Sequence, residues 1–274
     1  MNTRIARHPV LGECLYADNG VAEVGIPQEY GLRIGRFALC SGPNVFYEQP
    51  ADADYLTTPE GWRVRGGHRL WLAPESERCY YPDNDPVEWR VEGNHILGVQ
   101  REDPRLGVRK HMILTFGEGA RIEVLHRVEN TRNEALRCAL WGISSMAPGG
   151  VQRLRLPLRS GGYNPLHHLS LWDYTSLGDP RAEYALDGII LRHRPLEERY
   201  KIGVGHPLGA VEYENDGGTF ALEYPVNPEL EYPDGGVSYE TFMCRHMVEM
   251  ETLSPLKIIP PGGSMEHRET WTLR

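Results

Sequence analysis

Arg65-Gly-Gly-His-Arg-Leu-Trp-Leu-Ala-Pro-Glu75 (RGGHRLWLAPE) joins two glycines, a histidine and an arginine to an apolar run closed by proline. Side chains on an extended chain alternate between two faces. His68, Leu70 and Leu72 then share one face, and Arg69, Trp71 and Ala73 share the other. The paired glycines allow backbone angles, or a close approach of chains, that a Cβ would block. Two readings stay open on this stretch alone. It is a core strand with Leu70 and Leu72 inside and His68 hydrogen-bonded among them, or it is the floor of a binding site.

Similar short segments recur along the chain: Val87 to Val91, Lys110 to Phe116, Arg121 to Asn130, Leu136 to Met146, Gly209 to Tyr213, Thr219 to Tyr224 and Phe242 to Leu253. Each is rich in β-branched or aromatic residues and bounded by Gly, Pro, Asn or Asp, as strands are. Long stretches of helical period are missing. The 30 glycines and 21 prolines are spread evenly and supply turns, not one linker. The fold class is therefore all-β with mostly antiparallel strands. At 274 residues the chain is long for one unit, but all-β sandwiches reach this size around one core, so one domain and two are both open on length.

Composition removes several functions. A net charge of −9, with arginines scattered among acids, argues against a nucleic-acid partner. The longest apolar run, Cys138 to Met146, is too short to span a bilayer, and the first residues lack a signal peptide's apolar region. A cytoplasmic protein without membrane contact is expected, as monomer or homodimer. The 5 cysteines are odd in number, far apart and free of Cys-x-x-Cys pairs, so neither a zinc site nor a disulfide framework is signalled. No metal or cofactor is expected. Nucleophile elbow, P-loop, Rossmann glycines and the His-Glu-x-x-His helix are all absent, which leaves carboxylate and imidazole acid/base work as the available chemistry.

Three clusters could carry it. Cys79-Tyr-Tyr-Pro-Asp-Asn-Asp-Pro86 gathers Tyr81, Asp83 and Asn84 in a proline-bounded turn. Aromatic faces beside planar polar groups suit sugars, whose rings offer C–H faces and hydroxyls, although an ordinary Asx turn explains each acid singly. Arg245-His-Met-Val-Glu-Met-Glu251, read as one strand, puts Arg245, Met247, Glu249 and Glu251 on one face, which is either solvated or lines a cleft. His126 is in phase with Ile122, Val124 and Val128, the position of a core histidine. Ser160 to Arg181, with His167, His168 and Trp172, is the longest irregular stretch and a candidate rim.

Taken in order, several segments resemble the galactose-mutarotase-like superfamily. They are Gly31-Leu-Arg-Ile-Gly35 with Gly42-Pro-Asn44, Gly66 to Trp71 with Pro74-Glu75, and Tyr81 to Asn84. Val128-Glu-Asn130 before Trp141-Gly142, Leu171 to Tyr174 with Asp179-Pro-Arg181, Lys201-Ile-Gly203, Val248 to Thr252, Pro261-Gly262 and Trp271 follow. The resemblance implies a β-supersandwich, one domain over residues 1–274, whose concave face binds a carbohydrate. It also implies aldose 1-epimerase-like chemistry, in which a late-strand Glu takes the anomeric proton while a His protonates the ring oxygen. By position Glu251 matches the base best, with Glu249 close behind. The strand after Asn130 reads Trp141-Gly-Ile-Ser-Ser-Met146 and carries no histidine, so the acid is either His68 or absent.

The expected function is sugar binding with aldose 1-epimerase-like activity. A non-catalytic sugar sensor, or a lyase or hydrolase of uronic-acid sugars, is the alternative. Glu251, Glu249 and His68 form the expected catalytic set. Trp71, Tyr81 and Trp172 are the expected stacking surfaces, and Arg69, Glu75, Asp83, Asn84, Lys201 and Arg245 the expected polar contacts.

Overall fold

The computed structural model describes residues 1–158, 163, 165–205 and 207–274. The first part of the Ser160 to Arg181 stretch therefore lies outside the described residues. Among those described, the chain forms three antiparallel sheets, of four, ten and eight strands, and its helical content is one 3-10 turn, Glu77–Tyr80. No helix is long and apolar enough to cross a membrane.

Sequence alternation decides which sheet faces water. Val108–Phe116, Arg121–Asn130 and Ser264–Leu273, neighbours in the ten-stranded sheet, alternate buried with more exposed positions along their lengths. One face of that sheet is solvated. Gly67–Ala73 and Val248–Leu253 are buried at every position, so the eight-stranded sheet is covered on both sides. Its inner face, with Leu70, Leu72, Leu140 and Met250, packs with Val124, Val128 and Trp271 of the ten-stranded sheet in one apolar cluster that also includes Val24 and Phe37 of the four-stranded sheet. Trp271, fully buried, has Phe37, Phe46 and Phe220 at ring separations of 5.8, 5.6 and 5.7 Å. This is the stacked-sheet architecture of a β-supersandwich.

Most strands lie where the residue pattern puts them, Arg121–Asn130 and Leu136–Met146 to the residue. Phe242 to Leu253 is corrected: it is not one strand but the hairpin of Tyr239–Met243 and Val248–Leu253, closed by Cys244 N–H donating to Met247 O at 3.1 Å. The turn, Cys244-Arg-His-Met247, holds no Gly, Pro, Asn or Asp and keeps the alternation of the flanking strands, so no turn residue marks it. The candidate rim is also not wholly irregular, because Leu169–Leu171 pairs with Tyr200–Val204 at the sheet edge.

The double glycine has a steric cause. Arg65, Gly66 and Gly67 all have positive φ, and a Cβ at Gly66 would stand 1.8 Å from the Tyr47 carbonyl oxygen, one at Gly67 2.2 Å from that of Ile34. Backbone cannot yield as a flexible side chain does. Gly66→Ala is expected to destabilise the fold by about 3 kcal/mol or more, measured by urea unfolding; a loss below about 1 kcal/mol would show that this crossing is not rigid.

Candidate sugar-binding pocket

Register across the centre of the eight-stranded sheet builds the site. Ile143 stands opposite both Arg69 and Glu251, and Ser145 opposite Glu249. Arg69, Trp71, Trp141, Ser145, Glu249 and Glu251 therefore leave the sheet on its outer face. On the next strands Glu240 pairs with Glu251 and Lys201 with Phe242, which brings a lysine and a further carboxylate to the same face.

Of these, Arg69, Trp71, Trp141, Lys201 and Glu249 line a cavity of about 240 Å³. Its walls are aromatic. Trp62, Trp71 and Tyr80 lie 5.0–5.5 Å apart in tilted and edge-to-face pairs, Trp141 follows at 5.7 Å from Trp71, and Tyr174 also lines the pocket. Such offset geometries are the favoured ones for aromatic rings. Glu75, which accepts a hydrogen bond from the Tyr80 hydroxyl, and Arg199 line the pocket at exposed positions.

The floor is a set of neutralised charges. Arg69 Nη1 donates to Glu249 Oε1 at 2.8 Å and to Ser145 Oγ at 3.2 Å, and Ser145 donates in turn to Glu249 at 2.9 Å. The Arg69 guanidinium also lies 4.7 Å from the centre of the Trp71 ring. Lys201 Nζ meets Glu240 at 2.8 Å and Glu251 at 3.1 Å, with Glu75 at 4.0 Å, and sits 4.6 Å from the ring centres of both Trp141 and Trp172. Burial disfavours the ammonium, but Glu251 and Glu240 outweigh it and hold the Lys201 proton well above the ordinary lysine range. Glu251 accepts from Trp141 Nε1 at 3.0 Å and from Lys201, and burial raises it to about 7 against the opposing pull of Lys201. Burial raises Glu240 too.

No protein-family model and no curated protein matches the sequence. Solved structures do match. A TPR-domain containing protein from Parabacteroides distasonis superposes with a TM-score of 0.64 at 16% identity over 95% of this chain and 46% of that one, so this chain spans less than half of that protein. A galactose mutarotase-like protein from Lactobacillus casei gives 0.61 at 10% identity, over 95% of this chain and 100% of that one. A candidate aldose 1-epimerase from Klebsiella pneumoniae gives 0.62 at 12%, over 95% and 79%. The chain has the galactose-mutarotase-like fold. At these identities the likeness carries the fold alone.

Within this galactose-mutarotase-like fold the expected residues divide. Arg69, Trp71, Glu75, Lys201 and Glu249 line the pocket, Glu251 lies beneath its floor, and Trp172 flanks Lys201. His68 is a correction. It pairs with Ser144, not Ile143, so it leaves the sheet on the inner face, is fully buried and contacts Ser144 Oγ and His126 Nε2 at 2.9 and 2.7 Å. It cannot serve as acid to a Glu251 on the opposite face. The strand thus has a core face, with His68, Leu70 and Leu72, and a face whose Arg69 and Trp71 line the pocket, and His126 is the core histidine its phase implies.

Arg245 is also corrected: it sits on the hairpin turn, exposed, paired with Glu197. Tyr81, Asp83 and Asn84 do not line the pocket, because Asp83 is held by the buried Arg33 at 3.2 Å, Asn84 by Arg65, and Tyr81 lies beside Arg105. Tyr80, its neighbour, supplies the wall instead. Trp62, Tyr80, Trp141, Tyr174 and Arg199 were not singled out as contacts, although Trp141 and Tyr174 belong to segments that carry the resemblance.

Glu251 makes stability depend on pH. Its folded value, raised from 4.5 to about 7, favours the protonated form, so its contribution is complete below the unfolded value and is lost as pH rises through about 7. Relative to Glu251→Gln, the wild type is expected to lose roughly 3 kcal/mol between pH 4.5 and 7. Parallel pH profiles from calorimetry on the two proteins would contradict it.

Proposed function

We propose that residues 1–274 form a single domain that binds one pyranose sugar in this pocket, without exchanging its anomers. The observation that carries the reading is the combination of an aromatic cage with a floor of paired charges. The rings of Trp62, Trp71 and Trp141 offer faces to sugar C–H groups, and Arg69, Glu249, Glu75 and Lys201 offer donors and acceptors already oriented by one another. A volume of about 240 Å³ lies under the ~300 Å³ where sites for drug-sized molecules begin, which suits one sugar ring and not a chain of them. Names borne by proteins of the same fold, galactose mutarotase-like and candidate aldose 1-epimerase, point to the same ligand class.

Anomer exchange needs a base and an acid within reach of one sugar. Among the described residues no imidazole lines the pocket. Lys201, ringed by carboxylates, holds its proton too tightly to give it up near neutral pH, and Glu249 is tied to Arg69. Binding is thereby favoured over aldose 1-epimerase-like turnover, and the charge balance of the floor gives no preference for a uronic acid.

The test is a thermal-shift panel of hexoses, pentoses and uronic acids. A bound sugar at a hundredfold excess over its Kd adds about 2.7 kcal/mol of stability, and Trp62→Ala is expected to weaken it about tenfold. A panel in which no sugar raises the melting temperature would reject the proposal. Saturation-transfer NMR on the sugars that bind is expected to give exchange no faster than buffer; faster exchange, abolished in Glu249→Gln, would restore the epimerase reading.

A further inference from the structure

The inner face of the same sheet carries a second polar cluster that sugar binding does not use. We propose that His68, His126 and Glu269 are the ligands of a divalent transition-metal ion, of the zinc type, held between the two large sheets.

Two sheets converge to make the cluster. His68 comes from the eight-stranded sheet, while His126 and Glu269 come from adjacent strands of the ten-stranded sheet, where His126 stands opposite His267 and Glu269 lies two residues further along the same face. One donor atom from each of the three lies within 4.8 Å of the others. His68 Nε2 is 2.7 Å from His126 Nε2 and 3.9 Å from Glu269 Oε2, and all three side chains are buried. Zinc takes imidazole nitrogen and carboxylate oxygen at about 2.0–2.2 Å, which sets tetrahedral donors about 3.3 Å apart. Against that spacing the two imidazoles need to part by roughly half an ångström, and Glu269 to close on both, from 3.9 Å to His68 and from as much as 4.8 Å to His126.

The surroundings are those of a ligand set held in place. Ser144 Oγ contacts His68 Nδ1 at 2.9 Å, and Glu269 accepts from Trp271 Nε1 at 2.8 Å and from the Thr252 hydroxyl. Partners of this kind orient metal ligands and set the histidine tautomer. With hydrogen on Nδ1 of both rings, both Nε2 lone pairs point inward, and the imidazoles lose no proton on binding; the hydrogen now shared between them moves to Nδ1. Without an ion the Glu269 carboxylate stands in the core with only neutral donors, the Thr252 hydroxyl and Trp271 Nε1. Leaving polar groups in that condition is costly, and a bound cation offsets it. Cysteine spacing gave no hint of this, because the donors are spread over 202 positions of the chain, from 68 to 269.

Because the cluster is closed to solvent, the ion has to enter as the chain folds. The full chain would be unfolded, refolded with zinc chloride or with EDTA, desalted and assayed for metal by mass spectrometry. One zinc per chain is expected, with a higher melting temperature than the EDTA sample. Cobalt in place of zinc is expected to give the intense visible bands of a tetrahedral nitrogen and oxygen site, and His126→Ala and Glu269→Gln each to abolish them. A refolded wild type with native circular dichroism that retains no more zinc than a buffer blank would overturn the proposal. If neither variant folds, the cobalt spectrum of the wild type decides: bands identical to hexa-aquo cobalt also overturn it.

Discussion

The molecule depends on the antiparallel register that sets Ile143 against Arg69 and Glu251, and Ser144 against His68 and Met250. Because the side-chain period of a strand is two, that pairing sorts every residue of three central strands to one face or the other. A slip by one residue would carry Arg69 and Glu249 into the apolar interior and put Leu70, Leu72 and Met250 outside. The register is held from both sides, by the core packing of those apolar residues and by backbone crossings at Gly66 and Gly67 that admit no side chain.

Both buried cations at the floor of the outer face have carboxylate partners. Arg69 is matched by Glu249, and Lys201 by Glu240 and Glu251, all of them buried. In a low dielectric such pairs cost desolvation and return it only through close geometry. A floor built this way is stiff and presents fixed donors and acceptors.

The inner face solves a different problem. A layer of His68, His126, His267, Glu269 and Thr252 lies in an otherwise apolar core, linked by short contacts from ring to ring and ring to hydroxyl. Burial favours the neutral form of every imidazole in it, with His126 lowered to about 3 and His267 to about 4. One sheet thus separates two polar systems, a solvent-facing one with the aromatic walls and a sealed one between the sheets.

Local pattern determined the fold class, most strand positions, and the two-faced character of Gly67–Ala73, since alternation and turn residues act over a few neighbours. It also singled out Arg69, Trp71, Lys201, Glu249 and Glu251, through segments that resemble one family. Only the tertiary structure decided which of these meet. The hairpin that moves Arg245 out, the choice of Tyr80 over Tyr81, the arrival of Trp62 at the pocket and the removal of His68 to the core are all set by which strand lies beside which. Sequence alternation assigns a residue to a face, but two faces look alike until a second sheet covers one of them. That is why His68 and Glu251, both plausible site residues along the chain, stand on opposite sides of the same sheet.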